Sequence, residues 1–304
     1  DGFLELVKGY LGNDTDEFNQ VIHSLYSSCQ SIDRKDQLLI EQLQPREDLS
    51  AVLCASGPSL DNHLEQLKDN QDKLIILASG SSVGSLLRAG VKPYGVILLE
   101  MSSIVYQDLL DLISEGYKLS SIVAFVSSTV DPRIAALFSR CVVFHRPLSS
   151  AFCLYPNEES SSLPQAGPQA ANAGIEVALS LGIRNFLLLG CDFGTSNKNL
   201  QRSEGAIGIS PRDFDLPVKG AFGRTIFSNA ELSSTRQLFE NSLRLYSAEA
   251  TALGEGSFIE GVNHESKSLS DVVDRYYSDQ SKLSLIISSL QERSVSKSNL
   301  ASII

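Results

Sequence analysis

Residues 51–60 read AVLCASGPSL, an apolar run followed at once by a glycine turn. The run has the length of a buried strand, and the leucines after the turn fall on one face of a helix. The same order returns at residues 74–87, where an apolar run leads into SGSS and a second helical pattern. A strand that passes through a tight turn into a helix is the repeating unit of a parallel α/β sheet.

Further apolar runs of strand length follow, separated by amphipathic helical patterns, at residues 94–99, 122–126, 142–144 and 186–190. Continuous apolar strands of this kind are covered on both faces. The sequence therefore predicts an α/β fold, a Rossmann-like, mostly parallel sheet with helices on both faces. We divide the chain into a helical N-terminal segment (1–49), the Rossmann-like domain (50–262) and a helical C-terminal segment (263–304). Within the domain, residues 191–230 show no sustained period, and a long helix is predicted from Leu232 to Ala250.

Composition excludes several classes of protein. Apolar residues make up 42% and charged residues 20% of the 304 residues, as in ordinary globular chains. The formal net charge of −11 argues against a nucleic-acid partner, which needs a dense basic face. The apolar runs are too short for a membrane helix, and the five widely spaced cysteines form no CxxC motif. We expect a cytoplasmic protein with neither a nucleic-acid nor a membrane partner.

Two turns carry the sharpest local signal for a ligand. Because the carboxyl ends of parallel strands share one edge of the sheet, we expect these turns to lie near each other. N–H groups at the start of a helix suit a phosphate or carboxylate, and a serine there also serves as N-cap, a role that we assign to Ser59. Two capped turns without a ligand are the alternative. The candidate binding residues are Ser56, Gly57, Pro58 and Ser59 in the first turn and Ser79, Gly80, Ser81 and Ser82 in the second.

Five polar residues near other strand or helix ends complete the candidate site. Glu100 follows the third strand, where it would bind ribose hydroxyls or a metal, or remain solvated. Asp192 follows the sixth strand and would orient substrate, coordinate a cation or form a turn. His145 is either an acid or base or a loop histidine. Gln169 and Asn172, at the start of a helix, are possible base or sugar contacts in a segment whose small residues also suit packing.

An ordered set of short motifs resembles a known family. The motifs are SGPSL at 56–60, LRAGVKP at 87–93, VALSLG at 177–182, LGCD at 189–192 and VKG at 218–220. Together they resemble the central domain of motility accessory factor proteins, which are flagellin glycosyltransferases. That class of domains also includes hydroxymethylpterin diphosphokinase-like proteins. The resemblance runs roughly from Ala51 to Val262, and Glu100 stands where the family usually has Asp.

The resemblance implies a glycosyltransferase with a sialyltransferase-like domain that uses a CMP-sugar. It would move a nonulosonic acid from CMP to Ser or Thr of flagellin in the bacterial flagellum. The Gly57–Ser59 and Ser79–Ser82 turns would hold the nucleotide phosphate and ribose, with Gln169 and Asn172 near the cytidine or sugar. Asp192 would lie at the sugar end.

Chemistry of this kind needs stabilisation of the leaving phosphate and a base for the acceptor hydroxyl. We assign the base to Asp192 or His145, with Glu100 as a further catalytic candidate, and expect no metal or other cofactor. Two alternatives stay open. One is Mg²⁺-dependent diphosphate transfer from ATP to a hydroxymethylpterin, and the other is a non-catalytic module that binds nucleotide-sugar or flagellin. The helical ends could support self-association.

Overall fold

The computed structural model describes residues 18–27, 37–146, 158–208 and 213–293. Within these ranges one sheet contains nine strands, all paired in parallel, and a separate antiparallel hairpin contains two more. The sheet strands are β1 (Gln37–Leu39), β2 (Arg46–Cys54), β3 (Ile76–Ser79), β4 (Gly95–Leu98), β5 (Val123–Ser127), β6 (Arg140–Phe144), β7 (Ile183–Leu189), β10 (Glu249–Leu253) and β11 (Asn263–Glu265), and the hairpin is β8 (Leu216–Lys219) with β9 (Thr225–Ser228).

Helices cover both faces of the sheet, as the apolar strands require. They are α1 (residues 18–27), α2 (Leu64–Asn70), α3 (Ser82–Arg88), α4 (Ser103–Ser114), α5 (Ala170–Ser180), α6 (Ala230–Leu245) and α7 (Gln280–Ser289). Side chains of β2 alternate between two cores. Leu53 packs in the core that contains α5, α6 and α7, and Val52 packs in the core that contains α2, α3 and α4. No helix in the described part of the chain is long and apolar enough to span a bilayer.

The strand order fixes where a ligand site belongs. The sheet reads β1-β6-β5-β4-β3-β2-β7-β10-β11, so the chain builds outward from β2 in one direction and then returns to add β7 on its other side. In open α/β sheets, a crevice forms at such a reversal, beyond the carboxyl ends of the two strands. The residues that follow β2 and β7 are therefore placed side by side at the expected ligand edge.

The α/β class and the six strands expected from apolar runs are confirmed, but both flanks contribute strands as well as helices. β1 lies before residue 50 and β11 after residue 262, so the sheet extends across both predicted boundaries. Each has only three residues, and β11 is polar, so neither produces an apolar run. The parts of the predicted helical ends at 1–17, 28–36 and 294–304 lie outside the described residues.

One prediction inside the domain was wrong, and one stretch without a period contains strands. The helix expected to reach Ala250 ends at Leu245, because β10 begins at Glu249 and pairs with β7. The stretch 191–230, which showed no period, contains the β8–β9 hairpin. The β8 strand is mostly exposed, and β9 alternates over only four residues, so neither gives the sustained apolar alternation by which half-buried strands are recognised.

Candidate functional site

A cavity of about 800 Å³ opens at the carboxyl edge of the sheet, above the reversal between β2 and β7. Both glycine–serine turns reach it, and Ser81 Oγ donates a hydrogen bond to Ser56 Oγ at 2.8 Å. The structure thus brings the two turns together. Of the sequence-predicted site residues, those that line the cavity are Ser56, Gly57, Ser79, Gly80, Ser81, Glu100, Gln169 and Asp192.

The first turn is filled by a carboxylate of the protein itself. Ser59 donates twice to Asp192, from its backbone N to Oδ2 at 2.9 Å and from Oγ to Oδ1 at 2.5 Å. The Gly57 N–H donates to the carbonyl of Gly190 at 2.8 Å. Ser59 is therefore neither an N-cap nor a cavity-lining group: it lies inside a 3₁₀ helix, Pro58–His63, whose N-cap is Gly57. Pro58 occupies the first turn of that helix, which suits a residue without an N–H.

Asp192 is buried against backbone on several sides. A Cβ on Gly256 would lie 2.5 Å from Asp192 Cα, and a Cβ on Gly57 would overlap the Asp192 carboxylate. Burial raises the pKa of Asp192 to about 6, against the opposing effect of the two hydrogen bonds from Ser59, and the nearby negative charge of Asp61 raises it further. A carboxylate with a pKa just below neutral is ionised at pH 7 and is more basic than an ordinary Asp, which suits a general base.

The second turn is only partly open to the cavity. Gly80 and Ser81 line it, and so does the buried Ser79. Ser82, also predicted as a binding residue, does not line it. Its hydroxyl is fully buried and is within hydrogen-bonding distance of two carbonyls, those of Cys54 at 2.7 Å and Ser79 at 2.9 Å. Ser82 therefore ties the start of α3 to β2 and β3.

Glu100 and the first turn of α5 form other parts of the wall. Glu100 is exposed beyond β4, where Oε1 accepts from the Ser102 N–H at 3.1 Å. The side chain of Gln169, the N-cap residue of α5, donates to Glu231 of α6. Asn172, predicted as a substrate contact, does not line the cavity. It is fully buried outside the cavity lining, and its Nδ2 donates to the Thr235 carbonyl at 2.9 Å, which joins α5 to α6.

His145, predicted as a catalytic residue, lies away from the cavity. Its ring is fully buried and lies outside the cavity lining. Nδ1 lies 2.9 Å from Ser128 Oγ, and Nε2 lies 2.6 Å from Glu158 Oε2, so both ring nitrogens have partners within the protein. Burial and the positive charge of Arg293 lower the pKa of His145, while Glu158 opposes this change. The histidine is part of a buried polar network behind the wall of the cavity.

Replacement of this histidine should affect folding rather than transfer. In His145→Gln, Glu158 loses its bond to the imidazole, so we expect the free energy of unfolding to fall by about 2 kcal/mol. We expect kcat to stay within about twofold, because the ring does not contact the cavity. Chemical denaturation and a transfer assay on the same preparation measure both quantities. A large loss of kcat without loss of stability would restore His145 to the catalytic site.

Sequence reasoning missed the cations of the cavity. Arg146 and Arg202 both line it. Arg146 follows His145 at the end of β6, and a Cβ on Gly167 would lie 3.1 Å from its Nη2. Arg202 donates to the carbonyls of Ile207, at 2.7 Å, and of Gly208. Arg146 could have been recognised from its position directly after an apolar strand. Arg202 lies in the stretch 191–230, where no pattern in the sequence points to it.

The start of α5 contributes a further anion-binding element. Ala170 and Ala171 line the cavity, and the side chain of the N-cap residue Gln169 makes no capping hydrogen bond. The first N–H groups of a helix have no acceptor within the helix and carry partial positive charge. This end of the eleven-residue α5 therefore suits a phosphate or carboxylate.

Carboxylates line the same cavity, among them Glu100 and Asp108. Oxygen ligands of this type are those that Mg²⁺ prefers. Within the described ranges, no group of three or more His, Cys, Asp or Glu side chains is arranged to hold a metal ion.

Comparison with known proteins places this fold and site in a family. The model of the family described as 6-hydroxymethylpterin diphosphokinase MptE-like matches residues 21–198, more than half of the chain. The solved structure of the MAf glycosyltransferase from Magnetospirillum magneticum AMB-1 is 26% identical with a TM-score of 0.73, over 91% of this chain and 42% of that one. This chain thus spans less than half the length of that enzyme. A search of curated proteins finds no match. In agreement with the resemblance seen in its motifs, the chain belongs to the MptE-like family.

Proposed function

We propose that the protein is a glycosyltransferase that moves a nonulosonic acid from a CMP donor to a Ser or Thr hydroxyl of flagellin. One observation carries the proposal: Asp192, a carboxylate whose pKa is raised, and the N-terminus of α5, which suits an anion, line the same cavity. A nucleotide-sugar transferase needs these two groups, one for the acceptor proton and one for the leaving phosphate. The likeness to a solved MAf glycosyltransferase supports this assignment.

The phosphate of the donor belongs at α5 rather than at the first turn. At the first turn, Asp192 already accepts the Ser59 N–H, and a phosphate there would meet a negative charge. At the start of α5, Ala170 and Ala171 line the cavity, and Arg146, which lines it too, adds a positive charge. The hydroxyls of Ser56 and Ser81 then remain for the ribose or the sugar.

Asp192 acts on the acceptor. As the bond between the anomeric carbon and the phosphate oxygen breaks, its electron pair leaves with CMP, and the sugar gains oxocarbenium character. The acceptor oxygen forms the new bond to the anomeric carbon, and its proton passes to Asp192. Arg146 and the helix start stabilise the charge that develops on the phosphate. A monophosphate leaving group needs less charge neutralisation than a diphosphate. We therefore propose transfer without a metal ion.

A second function is favoured by the family description, diphosphate transfer to 6-hydroxymethylpterin. Such transfer uses ATP and Mg²⁺. Glu100 and Asp108, two carboxylates that line the cavity, would then be the candidate magnesium ligands. We rank this function second because the described residues contain no group of three or more His, Cys, Asp or Glu side chains arranged to hold a metal ion.

Calorimetric binding of CMP and of ATP, each with and without Mg²⁺, separates the candidates. We expect CMP to bind without metal and Arg146→Met to weaken that binding at least about tenfold, because a charge-assisted contact to phosphate is lost. Arg140→Met is the matched control: Arg140 lies at the opposite end of β6, where Nη1 donates to Ser288. Binding of ATP only with Mg²⁺ would favour diphosphate transfer, and binding of neither nucleotide would favour a docking module.

A further inference from the structure

We propose that Ser59 is a positioning residue that holds Asp192 in one orientation for proton transfer from the acceptor hydroxyl. This inference rests on the proposed function, in which Asp192 is the base. It reassigns Ser59, because the sequence alone suggested a direct contact with substrate. In the structure, Ser59 does not line the cavity, and its hydroxyl donates a hydrogen bond to Asp192.

Two donors from one residue fix the plane of the carboxylate. The Ser59 N–H reaches Asp192 Oδ2 at 2.9 Å, and the Ser59 hydroxyl reaches Oδ1 at 2.5 Å. Ser59 follows β2 and Asp192 follows β7, and these strands are direct neighbours in the sheet. A carboxylate that accepts at both oxygens cannot rotate about its terminal bond without breaking at least one of these bonds. Lone pairs that Ser59 does not use remain for the acceptor proton.

The surrounding backbone keeps this pair in place. A Cβ on Gly254 would lie 2.6 Å from both Cβ and Oγ of Ser59, so the serine is packed against a residue without a side chain. The carbonyl of Asp192 accepts from the Ser257 N–H at 2.7 Å, which anchors the main chain beneath the carboxylate. Both partners are thus closely packed against backbone.

The charges around Asp192 make the effect of Ser59 measurable. Asp61, in the same 3₁₀ helix as Ser59, raises the pKa of Asp192. Burial raises the pKa of the adjacent Cys191 thiol well above its usual value. On the 254–257 loop, Glu255 lies 3.4 Å from Arg224 and is exposed. The hydrogen bonds from Ser59 thus counteract the increase in the pKa of Asp192 that burial causes. Loss of the Ser59 hydroxyl should therefore make the carboxylate harder to ionise.

Ser59→Ala should move the acidic limb of the kcat–pH profile upward by about one pH unit. Below that limb kcat should fall about tenfold, because the ionised fraction of Asp192 falls tenfold per pH unit, while KM for the CMP-sugar stays within about twofold. Ser180→Ala is the matched control. It also removes a buried hydroxyl, one that donates to the Glu176 carbonyl at 2.8 Å within α5, and its profile should match the wild type.

A carbon-13 NMR titration of the Asp192 carboxyl gives a readout that needs no transfer activity. We expect its pKa to rise in Ser59→Ala and to rise less in Ser59→Cys, which keeps a weak donor and serves if the alanine variant folds poorly. In an Asp192→Asn background, Ser59→Ala should cause no further loss of kcat. If the pKa rises but no CMP-sugar is a donor, the positioning contact stands and the proposed function fails. An unchanged pKa, or a change in KM in place of the pH shift, would overturn the inference.

Discussion

Asp192→Asn should lower kcat for transfer to the acceptor hydroxyl by about two to four orders of magnitude, with little change in KM for the CMP donor. The asparagine has nearly the same shape but cannot take up the proton at neutral pH. It also fits the same partners. Its amide oxygen can accept from the Ser59 N–H, and its NH₂ group can donate to the Ser59 hydroxyl once that hydroxyl turns around. The loss should therefore be one of chemistry rather than of folding.

The same substitution should change how folding stability depends on pH. The pKa of Asp192 is raised by burial from 3.8 to about 6, so the folded state prefers the protonated carboxyl. This contribution is fully present below pH 3.8 and is lost as the pH rises through about 6, a decrease of about 3 kcal/mol in the free energy of unfolding. Asp192→Asn should remove this decrease, which urea denaturation at a series of pH values would show.

Asp279→Asn is the matched control for both measurements. Asp279 is the N-cap of α7, where its carboxylate accepts from the Ser281 N–H at 2.8 Å, and asparagine is an equally good N-cap. We expect kcat to stay unchanged. Because the Ser281 hydrogen bonds lower the pKa of Asp279, this variant should change stability only at acid pH, below about 4, and with the opposite sign, so the decrease between pH 3.8 and about 6 should remain. If Asp192→Asn keeps kcat within about tenfold of the wild type, Asp192 is not the base. It would then serve only to anchor the first turn.

The sequence was informative wherever a signal is local. The apolar runs revealed six of the seven inner strands, all except β10, since strands buried on both faces need no alternation. The two glycine–serine turns could be placed at one edge because parallel strands end there together. The short β1 and the polar β11 could not be recognised, because an edge strand of three residues buries too little to leave a pattern. Their pairing is settled by tertiary contacts.

The site was harder to predict because its partners are distant in sequence. The donor that holds Asp192 is 133 residues away in the chain, so nothing near Ser59 indicates that the first turn already binds an anion. His145 stands at a strand end like a catalytic residue, yet its Nε2 is paired with Glu158. Arg293, from the far end of the chain, pairs with the same carboxylate. Arg146, one residue later, reaches the cavity instead, as alternation at the end of a strand permits.

Gly57→Ala should strongly destabilise the protein. The φ of Gly57 is −65°, which any residue adopts, so the position needs glycine for space and not for backbone freedom. A Cβ there would lie 2.5 Å from the Gly190 carbonyl oxygen and would overlap the Asp192 carboxylate. Two rigid neighbours cannot yield as a flexible side chain would, so we expect the free energy of unfolding to fall by about 3 kcal/mol.

Gly116→Ala gives the opposite case and is the control. Its φ is +98°, but nothing lies within 4 Å of a Cβ built there, so only backbone strain of about 1 kcal/mol should appear. Chemical denaturation compares the two variants directly. In Gly57→Ala, the displaced Asp192 should also lose its hydrogen bonds from Ser59, so kcat should fall, whereas Gly116→Ala should leave kcat unchanged. Equal losses of stability in the two variants would mean that Asp192 does not pack against the first turn, and the base would have to be sought elsewhere in the cavity.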